Sequence, residues 1–241
     1  MMTSLRRGDK WSSRAVAEKQ ISKSPFFAAF DPRVMKNYLK YTLSDQEGGS
    51  VKLATPKAQE AWSYVRATFE SLPEEPTTVE DRQRERLLNP ELVPGTKASK
   101  MVFTRPEGVP LLEMLPHVRP RVLYVYGGRS HINYDKMRDL HLSRTGIGAS
   151  GNGGVADGGV ESVIINKCSH LVCFENTTEV AKSAGAWMQK EMTRWRKEKE
   201  FFVTYDRGTS KNGRTELSDK WLAGVKQDAN IQRSGAKTAK L

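Results

Sequence analysis

Cysteine is scarce in this sequence: only Cys168 and Cys173 occur in 241 residues. Two thiols that close together cannot build a disulfide framework, and their apolar neighbours predict buried free thiols in a reducing compartment. Long apolar runs are absent as well. No stretch approaches the about 18 apolar residues that a membrane-spanning helix requires, so no membrane span is expected. The first residues, MMTSLRRGDKWSS, are basic but lack the apolar segment that a secretory leader carries behind its charges. Acidic residues are outnumbered, 28 Asp and Glu against 39 Lys and Arg, which leaves a net charge of +11. Such an excess captures phosphates where it is clustered. Here acids and bases alternate, most densely over residues 194–200, as on a solvated helix face. No nucleic-acid partner is expected.

The apolar positions that are present fall into two patterns. Residues 1–24 show no stable period and read as a loose leader or a fragment of a larger element. Asp31 then stands as an N-cap with Pro32 behind it, and Val34, Met35, Tyr38, Leu39 and Leu43 recur at helical spacing up to a stop at Gly48-Gly49. Thr55 and Pro56 open a second helix with Ala58, Ala61, Trp62, Val65 and Phe69 on one face, stopped by the PEEP at 73–76. The chain to about residue 98 is charged and broken by prolines, with a helix over Val79–Leu88. After Pro120 the pattern changes. Residues 122–126 (VLYVY) form a branched and aromatic run closed by Gly127-Gly128, which predicts a buried strand of a parallel sheet. A polar helical piece over 135–142 follows, then residues 146–159, half of them glycine, read as a flexible connection. Val160–Ile165 is a second buried strand, and a long helix starts near Thr177. Strand, helix, strand, helix implies α/β architecture. The tail from 225 reads as unstructured and ends in Ala239-Lys240-Leu241. That small, basic, leucine ending is of the kind a peroxisomal import receptor reads, so peroxisomal location is expected.

His170 is the principal chemical candidate. It lies in the loop leaving the second strand, at the strand edge where open α/β sheets gather ligands, and an imidazole there can act as general base. Glu175 beside the following helix reads as a helix-start residue rather than an acid catalyst. Cys168, His170 and Cys173 do not supply the four converging ligands of a structural zinc, and no metal is expected. Residues 146–151 spell Gly-x-Gly-x-x-Gly, but a helical piece precedes them and a strand follows, the reverse of a dinucleotide-binding turn. No cofactor is expected. The aromatic residues Phe26, Phe27, Phe30, Tyr38, Tyr41 and Trp62 either form a helical core or line an acyl pocket.

The segment SHLVCFE (169–175), with the helix carrying Ala181, Ala184 and Trp187, resembles the last-strand histidine loop and final helix of the α/β-hydrolase family. RVLYVYGGRS (121–130) resembles the preceding strand of that family. SPFFAAFDPRVMKNYLKYTLSD and VKLATPKAQEAWSYV resemble the helical cap of its fungal members, the group of peroxisomal lipases and toxin-biosynthesis esterases; TGIGASGNGGVADGGV and the terminal Ala-Lys-Leu also look like that group. The resemblance spans about residues 20–200. It implies a helical cap over 1–98, the C-terminal part of the hydrolase core over 99–224, and a flexible tail over 225–241. It also implies His170 as the base in ester or thioester cleavage of lipid-like acyl substrates.

Departures from the family pattern shape the expectation. No Gly-x-Ser-x-Gly occurs in the sequence, so no nucleophile is assigned. In the family's chain order the nucleophile and oxyanion loop precede the cap, which implies an incomplete α/β-hydrolase fold with its earlier strands absent and a truncated chain. Many members carry an Asp where Ser130 stands; Asp135, five residues on, is the alternative acid. Two lone strands with apolar flanks predict self-association. A catalytically inactive remnant serving as a binding module is the competing expectation.

Overall fold

The computed structural model describes residues 7–63, 78–88, 108–207 and 215–227. The expected helix positions Val65 and Phe69, the PEEP stop and the terminal Ala239, Lys240 and Leu241 lie outside them. Met1–Ala184 forms one unit and Gly185–Leu241 a second.

The first unit begins with a correction to the loose leader. Strand β1 (Lys10–Trp11) is followed by helix α1 (Arg14–Ser22), whose N-cap Ser13 accepts a hydrogen bond from the Val16 amide. Trp11, Ala17 and Ile21 point inward. A one-turn helix α2 (Pro25–Ala28) and helix α3 (Pro32–Thr42) follow. Asp31 caps α3 by accepting from the Arg33 amide, and the Arg33 guanidinium, bonded to the same carboxylate, holds its pKa down to about 2. Leu43, expected on the helix, begins strand β2 (Leu43–Asp45) instead. A turn leads back into β3 (Val51–Leu53), which lies between β1 and β2 in an antiparallel sheet. Val51 and Leu53 alternate inward with the pleat, and with Trp11, Ala17, Ile21, Phe27 and Leu43 they make the main core. Burying Val51, which is 1% exposed, contributes on the order of 2 kcal/mol. Helix α4 (Lys57–Trp62) opens one residue later than expected, with Pro56 as its cap residue. Helix α5 (Val79–Leu88) has its expected bounds.

Beyond helix α6 (Gly108–Met114), strand β4 (Val122–Gly127) pairs in parallel with β5 (Val160–Ile165), from Val122 opposite Val160 to Gly127 opposite Ile165. The connection is helix α7 (Asp135–Arg144) plus the glycine-rich stretch. Tyr124 and Tyr126 stack on each other and on His141 of α7, and their hydroxyls meet Thr145 Oγ1 at 2.9 Å and His141 Nδ1 at 3.2 Å. Burial pushes the Tyr126 phenol up to about 12.

The glycine-rich stretch is not the flexible connection its composition suggested. Gly146, Gly153, Gly154 and Gly158 have positive φ. Asn152 binds the Pro120 carbonyl at 2.7 Å and the Gly154 amide at 2.9 Å, and a Cβ on Gly159 would lie 2.2 Å from the Asn152 carbonyl oxygen. These glycines permit tight, bonded turns. After β5 come a short helix α8 (Val172–Glu175) and the long helix α9 (Thr177–Arg207), which starts where expected. Helix α10 (Asp219–Gln227) occupies part of the expected tail. Among the described residues, no helix is long and apolar enough to cross a membrane.

Candidate active site

Because β4 and β5 are parallel and in register, their C-terminal ends finish side by side, and the segments leaving them share one edge. The β4 exit is the turn Gly127-Gly128-Arg129-Ser130. Its Gly128 amide donates to the Ile165 carbonyl at 3.0 Å, the Arg129 amide to the Cys168 carbonyl at 2.9 Å, and the Ser130 amide to the Gly127 carbonyl at 3.1 Å. This approach admits no side chain. A Cβ on Gly127 would lie 1.7 Å from the Ser169 carbonyl oxygen, and one on Gly128 would lie 2.7 Å from the Asn166 Cα.

The β5 exit is held from the other side by Glu175. Its carboxylate accepts from the Ser169 amide at 2.7 Å and from the Ser169 hydroxyl, while Ser169 Oγ accepts from the Leu171 amide at 3.3 Å. Glu175 therefore anchors the histidine loop, a role hinted at by its place beside a helix start but not deducible from it. The aromatic residues at 26–38 divide between core and contact. Phe27 is buried, Phe30 and Tyr38 pack against the core, and Phe30 stacks on Phe174 of α8 at 5.3 Å. The Asp31 amide donates to the Phe174 carbonyl at 2.8 Å, and Arg33 reaches Thr178 Oγ1 at 2.7 Å. Phe26, Tyr41 and Trp62 are exposed.

Between these two exits His170 stands exposed, with its Nδ1 3.3 Å from Ser130 Oγ and the His131 ring 6.4 Å from its own. Ser130 is buried, and its Oγ also accepts from the Ile132 amide at 3.3 Å and the Asn133 amide at 3.0 Å. Asp135 is placed differently. At the first turn of α7 its side chain is 92% exposed, and its carboxylate pairs with Arg138 at 2.5 Å rather than with His170. The group facing the imidazole is thus a hydroxyl. Cys168 is buried, with burial and then the nearby Glu175 carboxylate pushing its thiol up; Cys173, expected to be buried, is exposed because α8 turns it outward. Among the described residues no cluster of His, Cys, Asp and Glu is placed to hold a metal.

No protein-family model matches the chain. It is 27% identical, over 98% of its length, to the type I acyl-CoA thioesterase mpaH of Penicillium roqueforti, of which it covers 57%. The chain is a distant homologue of fungal α/β-hydrolases. It is 25% identical over 78% of its length to the abhydrolase domain-containing protein AFT2-1 of Alternaria alternata, covering 64% of that protein. Among solved structures it is similar to the peroxisomal α/β-hydrolase Lpx1 of Saccharomyces cerevisiae, at 12% identity and a TM-score of 0.47 over 86% of this chain and 47% of that one. The chain therefore spans about half the length of the thioesterases it matches. Its fold is a partial α/β-hydrolase fold, mostly helical with a small parallel sheet.

Proposed function

We propose that this chain carries the cap and histidine portion of an ester- or thioester-cleaving (or acyl-transferring) α/β-hydrolase site for lipid-like acyl substrates, with a place in secondary-metabolite (toxin) biosynthesis. The observation that carries this reading is the exposed His170, held at the joint exit of β4 and β5 by Gly127, Gly128, Ser130 and Glu175. An imidazole at that place can take a proton from a nucleophile and return it to the leaving group once its outward nitrogen is free of hydrogen. The Penicillium relatives, named as acyl-CoA thioesterases, support the substrate class.

A nucleophile must complete such a site, and the 241 residues contain no Gly-x-Ser-x-Gly. The chain alone is expected to turn over p-nitrophenyl acyl esters and acyl-CoA at background, unchanged by His170→Ala. Fused to the part of the Penicillium roqueforti thioesterase that it does not cover, it should gain turnover that His170→Ala lowers by at least about 100-fold. A folded fusion without turnover would sink this reading. The hydroxyl in place of an acid at His170 favours a second one, an inactive chain that binds acyl ligands or a partner.

The terminal Ala239-Lys240-Leu241 supports peroxisomal location through the import receptor. A fluorescent protein fused to the N-terminus should give punctate signal that becomes diffuse when Leu241 is deleted. Puncta that survive the deletion exclude this address.

A further inference from the structure

We infer that Ser130 is a positioning residue that keeps the His170 proton on Nε2, so that the resting imidazole presents a donor, not a base, to the open side of the site. The inference rests on the Proposed function only in its choice of His170. A serine hydroxyl has one proton to give and two lone pairs to receive with. Two backbone amides of its own turn already donate to Ser130 Oγ, Ile132 at 3.3 Å and Asn133 at 3.0 Å. Both lone pairs are engaged. The remaining contact, His170 Nδ1 at 3.3 Å, must then receive the hydroxyl proton. A neutral ring whose Nδ1 accepts carries its hydrogen on Nε2. Ser130 is shielded from water by burial, and its Oγ contacts among the described residues are these three. A carboxylate at the same place would do the opposite: it can only accept, so it would draw the proton to Nδ1 and leave Nε2 free to act as base.

In chemical terms, His170 as it stands can donate a hydrogen bond from Nε2 to a carbonyl oxygen or an oxyanion. It becomes a base toward a nucleophile only after its proton has moved from Nε2 to Nδ1 and the Ser130 hydrogen bond has broken. The substitution of a hydroxyl for a carboxylate thus sets a tautomer, a consequence that neither the fold nor the sequence pattern carries without the three contacts of Ser130.

The test is the tautomer itself, read without any activity. In the full chain labelled with ¹⁵N-histidine, long-range proton–nitrogen spectra recorded across a pH series, and read where the ring signals no longer move with pH on the alkaline side, separate the two ring nitrogens of the neutral imidazole. His170→Gln identifies the signals, and the urea-unfolded chain gives the unrestrained tautomer ratio. The folded chain should favour Nε2–H by about fivefold more than the unfolded chain, the worth of one net hydrogen bond. Ser130→Thr, which keeps the hydroxyl, should preserve that excess. Ser130→Ala should return it to the unfolded ratio, and Ser130→Asp, which still accepts from the two turn amides, should reverse it to Nδ1–H. Backbone amide spectra identify any variant that has lost its fold, and the wild-type and Ser130→Thr ratios then decide alone. A folded wild-type ratio equal to the unfolded one, or an excess of Nδ1–H, overturns the inference. Failure of the fusion enzyme with the tautomer as stated would sink the hydrolase reading and leave this one standing.

Discussion

Gly127 decides where His170 can stand, because the backbone of the histidine loop passes through the space a side chain would fill. Its missing Cβ would sit 1.7 Å from a backbone oxygen, an encounter that no rotamer change relieves. Gly127→Ala is therefore expected to destabilise the first unit by about 3 kcal/mol and to separate Ser130 from His170. Gly185, inside α9 with open space around it, is the control: Gly185→Ala should be neutral or stabilising by up to about 1 kcal/mol. Urea unfolding followed by tryptophan fluorescence, with amide spectra of residues 127–170, distinguishes them. Equal, small effects at both glycines would refute the close-approach argument. At this scale the sequence reveals His170 through its place after an apolar strand. It does not reveal the tautomer or the Glu175 anchor. Both depend on distances across a turn, which residue types alone do not encode.

Elements were legible in proportion to their length and to the strength of their end signals. Helix α3 announces itself through Asp31, Pro32 and a helical stripe, β4 through the five-residue run VLYVY, and β5 through Val160, Val163, Ile164 and Ile165. The antiparallel sheet was invisible for a physical reason. Its strands are two or three residues long, too short for a two-residue period to show, and its β1 strand joins only because Lys10 and Trp11 meet Lys52 and Val51 from about forty residues away. Leu43 fits the spacing of the helical stripe equally well, and only its pairing with Leu53 makes it a strand residue. The glycine-rich segment shows the opposite error. Glycine density reports freedom in the unfolded chain, whereas the folded segment spends that freedom on left-handed turns and backbone contacts.

For the molecule as a whole, the two sheets of the first unit are unequally protected. The antiparallel sheet lies under α1, α2 and α3 with Val51 and Leu53 buried. The parallel pair carries its apolar residues half open: Val122, Leu123, Val163 and Ile165 are only partly buried, and Ile164 is 48% exposed. Parallel strands in stable folds are covered on both faces, and a two-stranded parallel sheet has two free edges of unpaired amides and carbonyls. Exposed apolar faces beside free edges favour pairing between molecules. The second unit adds to this tendency, because α9 exposes Met188, Met192, Trp195, Phe201 and Phe202. Association is therefore expected to grow with concentration and to involve β4 and β5, and heating should give a broad loss of structure in place of one steep transition. Light scattering across a concentration series and a thermal melt followed by circular dichroism test this directly. Ile164→Lys, which places a charge on the open face, should lower the apparent mass at a given concentration while leaving the helical signal intact. A monodisperse monomer with a sharp two-state melt would show that the parallel pair is protected in a way these contacts do not supply.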